Sequence, residues 1–153
     1  MFVSSYKSGV STDRVELHFI NNKAYIFKYL KTDNKFLRER EAYQKLANCS
    51  FIPKLIKSSI DDRLLMIEHV GKSLNIKYAP KDRKKFKPQI QELNRQLIED
   101  YGIYHNDIRW KNIVESESGE LFIIDFESWT PVSVGSKERD PEKILSWQSC
   151  LAW

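Results

Sequence analysis

Two carboxylates and one carboxamide stand at short, ordered intervals in the stretch from Tyr101 to Trp129. Asp107 comes first, Asn112 follows five residues later, and Asp125 lies thirteen further on, directly after an apolar run. Ile113-Val114 and Leu121 to Ile124 read as the strands of a hairpin turning about Ser116 to Gly119. Asp107 and Asn112 therefore fall on the loop before it and Asp125 at the end of its second strand. Pairing of those strands brings the three side chains to one end of a sheet. Two carboxylates and an amide oxygen suit Mg²⁺, a hard cation that keeps some of its positions for water and phosphate oxygens. A phosphate ligand needs a cation of its own, and Lys28, inside an aromatic-rich strand, is the candidate. Glu39, on the inner arc of a helix, is the acid expected to hold that lysine, because an unpaired buried carboxylate is costly. The plainer alternatives are that Lys28 snorkels from a strand edge and that Glu39 pairs in water with Lys35.

The elements that must position these residues follow from periodicity. Residues 15 to 20 and 24 to 30 alternate as strands about the turn-prone Asn21-Asn22-Lys23. Ala24, Ile26 and Lys28 then share one face, and Tyr25, Phe27 and Tyr29 the other. Thr32, Asp33 and Asn34 offer caps for a helix from Lys35 to Ala47, whose inner face carries Phe36, Glu39, Ala42, Tyr43, Leu46 and Ala47. Phe51 to Ile56 and Leu64 to Ile67 read as two more strands around a Ser-Ser-Ile-Asp-Asp turn, giving about five strands and one helix before residue 68. Beyond a boundary at 69–71, Pro88 opens a helix with Ile90, Leu93, Leu97 and Tyr101 on one side and Gly102 as its C-cap. A last helix is expected from Asp140-Pro141, carrying Ile144, Leu145, Trp147 and Leu151. The domain reading is one domain of residues 1–153, with a first lobe 1–68, a hinge 69–71 and a reduced second lobe 72–153.

His105-Asn106-Asp107-Ile108-Arg109-Trp110-Lys111-Asn112 resembles the H-x-D-x-x-x-x-N catalytic loop of the protein-kinase-like superfamily, and Ile123-Ile124-Asp125-Phe126-Glu127 resembles its D-F-G element. Tyr25-Ile26-Phe27-Lys28 is similar to V-A-I-K, with Glu39 where the family's helix glutamate falls. The likeness runs from about residue 9 to 129 and is nearest to small divergent members of the lipopolysaccharide-kinase-like, RIO-like and aminoglycoside-phosphotransferase-like kinds. It implies an α+β, minimal two-lobed fold: an antiparallel β-sheet lobe with one helix, and a truncated, mainly helical second lobe. It implies an ATP- and Mg²⁺-dependent phosphotransferase acting on a hydroxyl of a protein or small molecule. Asp107 would orient the acceptor and take its proton, Asn112 and Asp125 would hold Mg²⁺, and Lys28 fixed by Glu39 would contact the nucleotide phosphates. Arg109 would stabilise the transferred phosphoryl group. Glu68 and Val70 would offer backbone groups to adenine, with Met66 behind them and Ile26 and Ile124 as apolar plates. His105 is expected to be structural, packing under Phe126.

The departures from that pattern define a competing expectation, a pseudokinase serving as a nucleotide-binding or interaction scaffold. Ser8-Gly9-Val10-Ser11 holds one glycine where three are usual. Asn106 replaces the usual arginine, Glu127 the usual glycine, and 27 residues follow Phe126, with no A-P-E element. A homodimer contact or a partner protein is expected to complete the short second lobe.

Composition bounds the remainder. A chain of 153 residues, 41% hydrophobic and 30% charged, is globular in type. Two cysteines, Cys49 and Cys150, exclude a disulfide framework or a thiolate zinc site. No stretch approaches the roughly 18 apolar residues of a membrane span and no signal-like N-terminus appears, so a cytoplasmic or nuclear location without membrane association is expected. Cys150-Leu151-Ala152-Trp153 has the outline of a prenylation box but ends unusually in Trp and has no polybasic run before it, and is taken as a helix end. The net charge of +4 suits phosphate-bearing partners. Seven of the basic residues between Lys72 and Lys87 share that stretch with one acid, Asp82. They are read first as a solvated linker and helix start, and second as a nucleic-acid or acidic-partner surface.

Overall fold

A computed structural model describes residues 3–7, by their backbone, and 13–134. The loop Ser8 to Ser11, Cys150 and the helix expected from Asp140 lie outside the described residues. The chain forms two compact units, residues 1–69 and 70–153.

The first unit is an antiparallel five-stranded sheet with one helix. Strands β1 (Val3–Lys7), β2 (Arg14–Ile20), β3 (Lys23–Tyr29), β4 (Leu55–Ser59) and β5 (Leu64–Glu68) lie in the order β1-β2-β3-β5-β4. Asn21 and Asn22 both adopt positive φ, as a tight two-residue hairpin turn demands, and asparagine reaches that region readily. Helix α1 (Asp33–Lys45) starts two residues earlier than periodicity suggests, because Thr32 Oγ1 accepts the Lys35 N–H at 3.2 Å and fixes the first turn. Phe36, Ala42, Tyr43 and Leu46 are buried as the inner face requires, whereas Ala47 lies beyond the last turn and is exposed.

The strand expected over Phe51–Ile56 is displaced. Residues 51–54 form an irregular crossing in which Phe51 and Ile52 are buried, and pairing begins only at Leu55. Pro53 has no N–H to give a ladder, and the Ile52 N–H is taken by Cys49 O in a turn that follows the helix. Pairing therefore shifts onto Lys57-Ser58-Ser59. That polar segment suits a sheet edge, where a bulge between Leu55 and Lys57 and a lysine limit further strand addition.

The second unit is organised by a hairpin and a helix. Strands β8 (Ile113–Glu115) and β9 (Leu121–Ile123) pair as expected about a turn closed by Gly119 N–H to Ser116 O. A two-residue strand, β6 (Lys72–Ser73), pairs with β8 and was not anticipated. Gly71 makes that pairing attainable: a Cβ there would lie 2.0 Å from the Glu115 carbonyl oxygen. Two one-turn helices follow, α2 (Leu74–Lys77) and α3 (Pro80–Arg83), and then α4 (Lys87–Tyr101). Ile90 and Leu97 are fully buried, and Gly102, at φ 68, donates to Ile98 O as the C-cap. Beyond it, β7 (Ile103–Tyr104) pairs antiparallel with β10 (Thr130–Pro131). No helix among the described residues is long and apolar enough to cross a membrane.

Phe36 and Leu37 are adjacent on α1, one fully buried and one 38% exposed. Phe36→Ala is expected to cost about 3–5 kcal/mol in a urea melt, while Leu37→Ala stays within about 0.5 kcal/mol. Equal losses would place the helix's packing face elsewhere.

Candidate functional site

In the second unit, four hydrogen bonds close a ring around the residues singled out by spacing. The Asp107 N–H donates to His105 Nδ1 at 3.1 Å, and His105 Nε2 donates to Ile124 O at 2.9 Å. The Ile124 N–H donates to Asn112 O at 2.9 Å, and Asn112 Nδ2 returns to Asp107 O at 2.9 Å. The loop carrying Asp107 and Asn112 is thus stitched to the backbone immediately before Asp125. Asn112 Nδ2 also donates to Asp107 Oδ2 at 3.1 Å, so the amide oxygen of Asn112 faces away from Asp107. That oxygen and the Asp125 carboxylate, a hard neutral donor and a hard anionic one, fit a Mg²⁺ ion. Asp125 itself sits at φ 67, the left-handed region. Glu127, the residue in place of a glycine, offers a carboxylate oxygen within 4.8 Å of one on Asp125.

His105 is structural in this ring. Both nitrogens are engaged, which fixes the neutral tautomer with hydrogen on Nε2, and its ring meets Phe126 edge to face at 4.8 Å. Burial holds it below its ordinary value of 6.5, outweighing the bond to Ile124 O and the nearby carboxylates of Asp125 and Asp107. A group that stays neutral while buried is suited to holding backbone, and not to exchanging protons with a substrate.

Arg109 lies beside the ring. Its Nε contacts Asp107 Oδ1, and 49% of its side chain is exposed. Together with Asn112 it occupies both carboxylate oxygens of Asp107.

In the first unit, Lys28 Nζ lies 2.9 Å from each carboxylate oxygen of Glu39. Glu39 is fully buried and the lysine side chain 11% exposed, so the pair anticipated from the sequence is present and the alternative of a Glu39 pairing with Lys35 is not. Lys35 instead lies 3.8 Å from Asp13. The connection of three residues between β3 and α1 is held by Asp13 Oδ1, which accepts the Lys31 N–H at 3.0 Å, and by the Leu30 N–H donating to Arg63 O. Asp13 escaped sequence reading because nothing local distinguishes it from a surface aspartate. Its partners are 18 and 22 residues away.

The register corrects one candidate. Lys28 faces Leu65 and Ile26 faces Ile67 across the β3–β5 pair, whereas Met66 faces Phe27. Directly opposed residues share a face, so Met66 lies on the opposite side of the sheet from Lys28. Ile67, 5% exposed, is the β5 side chain beside Ile26. The Glu68 N–H and side chain are both turned to the Lys54 backbone. Val70 opens the second unit, where Ile124 is half-buried.

Three basic residues of the stretch, Lys77, Arg83 and Lys85, have partners within the unit. Lys77 Nζ and the Tyr78 hydroxyl each donate to Glu115 Oε1 at 2.6 Å. Burial works to raise the Glu115 carboxyl, but the bonds from Lys77 and Tyr78 prevail and it is held below its ordinary value. Arg83 donates to the carbonyls of Tyr78 and Asn75, and Lys85 lies over the Tyr78 and Phe86 rings. Residues 72–87 are a folded segment clipped to β8, and five of its basic residues, Lys72, Lys77, Lys81, Lys84 and Lys85, are exposed ahead of the α4 start at Lys87.

The first unit's sheet and helix and the second unit's loop, hairpin and helix are those of a small kinase-like fold. A solved kinase, PK-1 of Cydia pomonella granulovirus, superposes with a TM-score of 0.63 at 18% identity, covering 84% of this chain. The chain spans about half of that protein, 52% of its length. No protein-family model and no curated protein matches the sequence.

Two outcomes follow. Lys28→Met removes the ammonium beside a buried carboxylate and is expected to cost about 3–5 kcal/mol in denaturant melts; adding Glu39→Gln should recover part of that loss. An additive double variant would mean the two side chains are not coupled. Because the folded state depresses His105, the unfolded chain takes up a proton first as pH falls through 6.5. Melting temperature should therefore drop as pH falls below His105's ordinary 6.5, and this drop should be absent in His105→Gln. Glu115, depressed as well, should add a separate loss below its ordinary 4.5. A pH profile unchanged by His105→Gln would contradict the assignment.

Proposed function

We propose that this protein is an ATP- and Mg²⁺-dependent phosphotransferase of protein-kinase-like type, moving the terminal phosphoryl group of the nucleotide to a hydroxyl of a protein or small-molecule acceptor. The observation that carries this reading is the hydrogen-bonded ring that binds the Asp107 and Asn112 loop to the backbone before Asp125. The kinase-like fold and the buried Lys28–Glu39 pair support it.

The roles follow from the chemistry of each group. Asn112 and Asp125 would hold Mg²⁺, which when bound neutralises charge building on phosphate oxygens. Lys28 presents an ammonium oriented by Glu39, suited to a phosphate oxygen. Asp107 is a half-buried carboxylate beside a loop held rigid at both ends, suited to orienting an acceptor hydroxyl and accepting its proton. Arg109 must give up Asp107 Oδ1 for that to occur; its guanidinium is then placed to meet phosphoryl oxygens. Ile26 and Ile67 present apolar surface on the Lys28 face, where an adenine ring would be received.

One observation favours a second reading. Arg109 and Asn112 together occupy both oxygens of Asp107, which would also suit a nucleotide-binding scaffold without transfer. Titration with ATP separates the two. Wild-type protein is expected to be stabilised by millimolar ATP, more so with Mg²⁺, and by about 2.7 kcal/mol at a ligand concentration of 100 Kd. Asp125→Asn should remove the Mg²⁺-dependent part. Asp107→Asn should keep the stabilisation yet lower incorporation of labelled phosphate by roughly 10²–10⁴-fold. Retained stabilisation with no transfer by wild type would favour the scaffold, and no stabilisation at all would overturn both.

A further inference from the structure

Asn106, immediately before Asp107, adopts φ 67, a region that asparagine reaches more readily than most residues with a side chain. Its Nδ2 donates twice, to Ser128 O at 2.9 Å and to Thr130 Oγ1 at 2.8 Å. Both amide hydrogens are thus spent on one short segment beyond Phe126. That segment is itself anchored. Trp129 is buried, Thr130 and Pro131 pair with Tyr104 and Ile103, and the Val132 N–H donates to Gly102 O at 2.9 Å. Strand β7 runs directly into His105, Asn106 and Asp107, so the Asn106 amide closes a second loop of bonds beside that of His105, to partners further along the chain. The Asp107 N–H is then directed at His105 Nδ1 by a left-handed residue that cannot rotate without breaking two hydrogen bonds.

We propose that Asn106 is a positioning residue for Asp107: clasping Ser128 and Thr130 holds its backbone in the left-handed conformation that fixes the carboxylate of the next residue. This rests on the phosphotransferase reading for its kinetic consequence, but the clasp itself is a property of the second unit alone. The clasp is uncharged, so the placement of Asp107 does not depend on the titration of Asn106 or on an added charge.

The test uses the full chain. Asn106→Gly keeps access to positive φ and removes the clasp; Thr130→Val removes one acceptor and Thr130→Ser preserves it. The phosphate-transfer rate at saturating Mg·ATP is expected to fall about 10- to 100-fold in Asn106→Gly, with the KM for Mg·ATP within about 3-fold of wild type. Thr130→Val should lose activity, Thr130→Ser should retain it, and Asn106→Gly with Thr130→Val should be no worse than Asn106→Gly alone. Amide hydrogen exchange supplies a readout independent of catalysis. The Asp107 amide should exchange at least about 10-fold faster in Asn106→Gly than in wild type. Unchanged exchange at Asp107, or multiplicative losses in the double variant, would overturn the proposal. If wild type neither binds Mg·ATP nor transfers phosphate, the phosphotransferase reading fails, and the exchange rate alone still decides for or against the clasp.

Discussion

The second unit depends on one buried imidazole that accepts on one nitrogen and donates on the other. His105 takes the Asp107 N–H and gives its own to Ile124 O, and so joins two segments nineteen residues apart in sequence. The bond from the Asp107 N–H does not survive protonation, since an imidazolium cannot accept. Burial is therefore part of the device: it keeps the ring neutral and the ring keeps the loop in place. The hairpin β8–β9 sets the distance that the ring must span, and Asn112 closes it from the side of the hairpin.

The first unit uses a different device for a comparable end. Lys28 and Glu39 are both withdrawn from water, which is unfavourable for each alone and tolerable only as a pair. Their eleven-residue separation is bridged by a tight connection held by Asp13 and by the Arg63 carbonyl. The lysine's position is thus fixed by strand register on one side and by helix capping at Thr32 on the other. Stability and placement of the ammonium are the same interaction seen from two directions.

The departures from the usual kinase-like pattern acquire physical content at two places. Asn106 ties the loop to the segment after Phe126 through two hydrogen bonds from a neutral amide. Glu127 brings a second carboxylate close to Asp125, which increases the negative potential available to a divalent cation while withdrawing the conformational freedom of glycine. The insert at 72–87, basic in composition, is held to β8 through Glu115, whose burial is balanced by Lys77 and Tyr78. Of its basic side chains only Lys77 is matched by a carboxylate among the described residues, and Lys72, Lys81, Lys84 and Lys85 are exposed.

The sequence by itself determined the hairpins β2–β3 and β8–β9, strand β5, the two main helices and the identity of the residues that could do chemistry, because alternation, the 3.6-residue period, Gly102 and the Asn21-Asn22 turn are local signals. It also pointed to the Lys28–Glu39 pair, since a carboxylate on a helix's inner face demands a cation. Tertiary structure decided what depends on partners distant in the chain. It set the register that turns Met66 away from Lys28 and Ile67 toward it, the displacement of β4 past Pro53, and the roles of Asp13, Glu115 and Asn106. Apart from Pro53, which cannot give an N–H to a ladder, none of these has a local signature. A polar side chain's hydrogen-bond partner is fixed only when the fold brings a complementary group within about 3 Å, and sequence spacing carries no such distance.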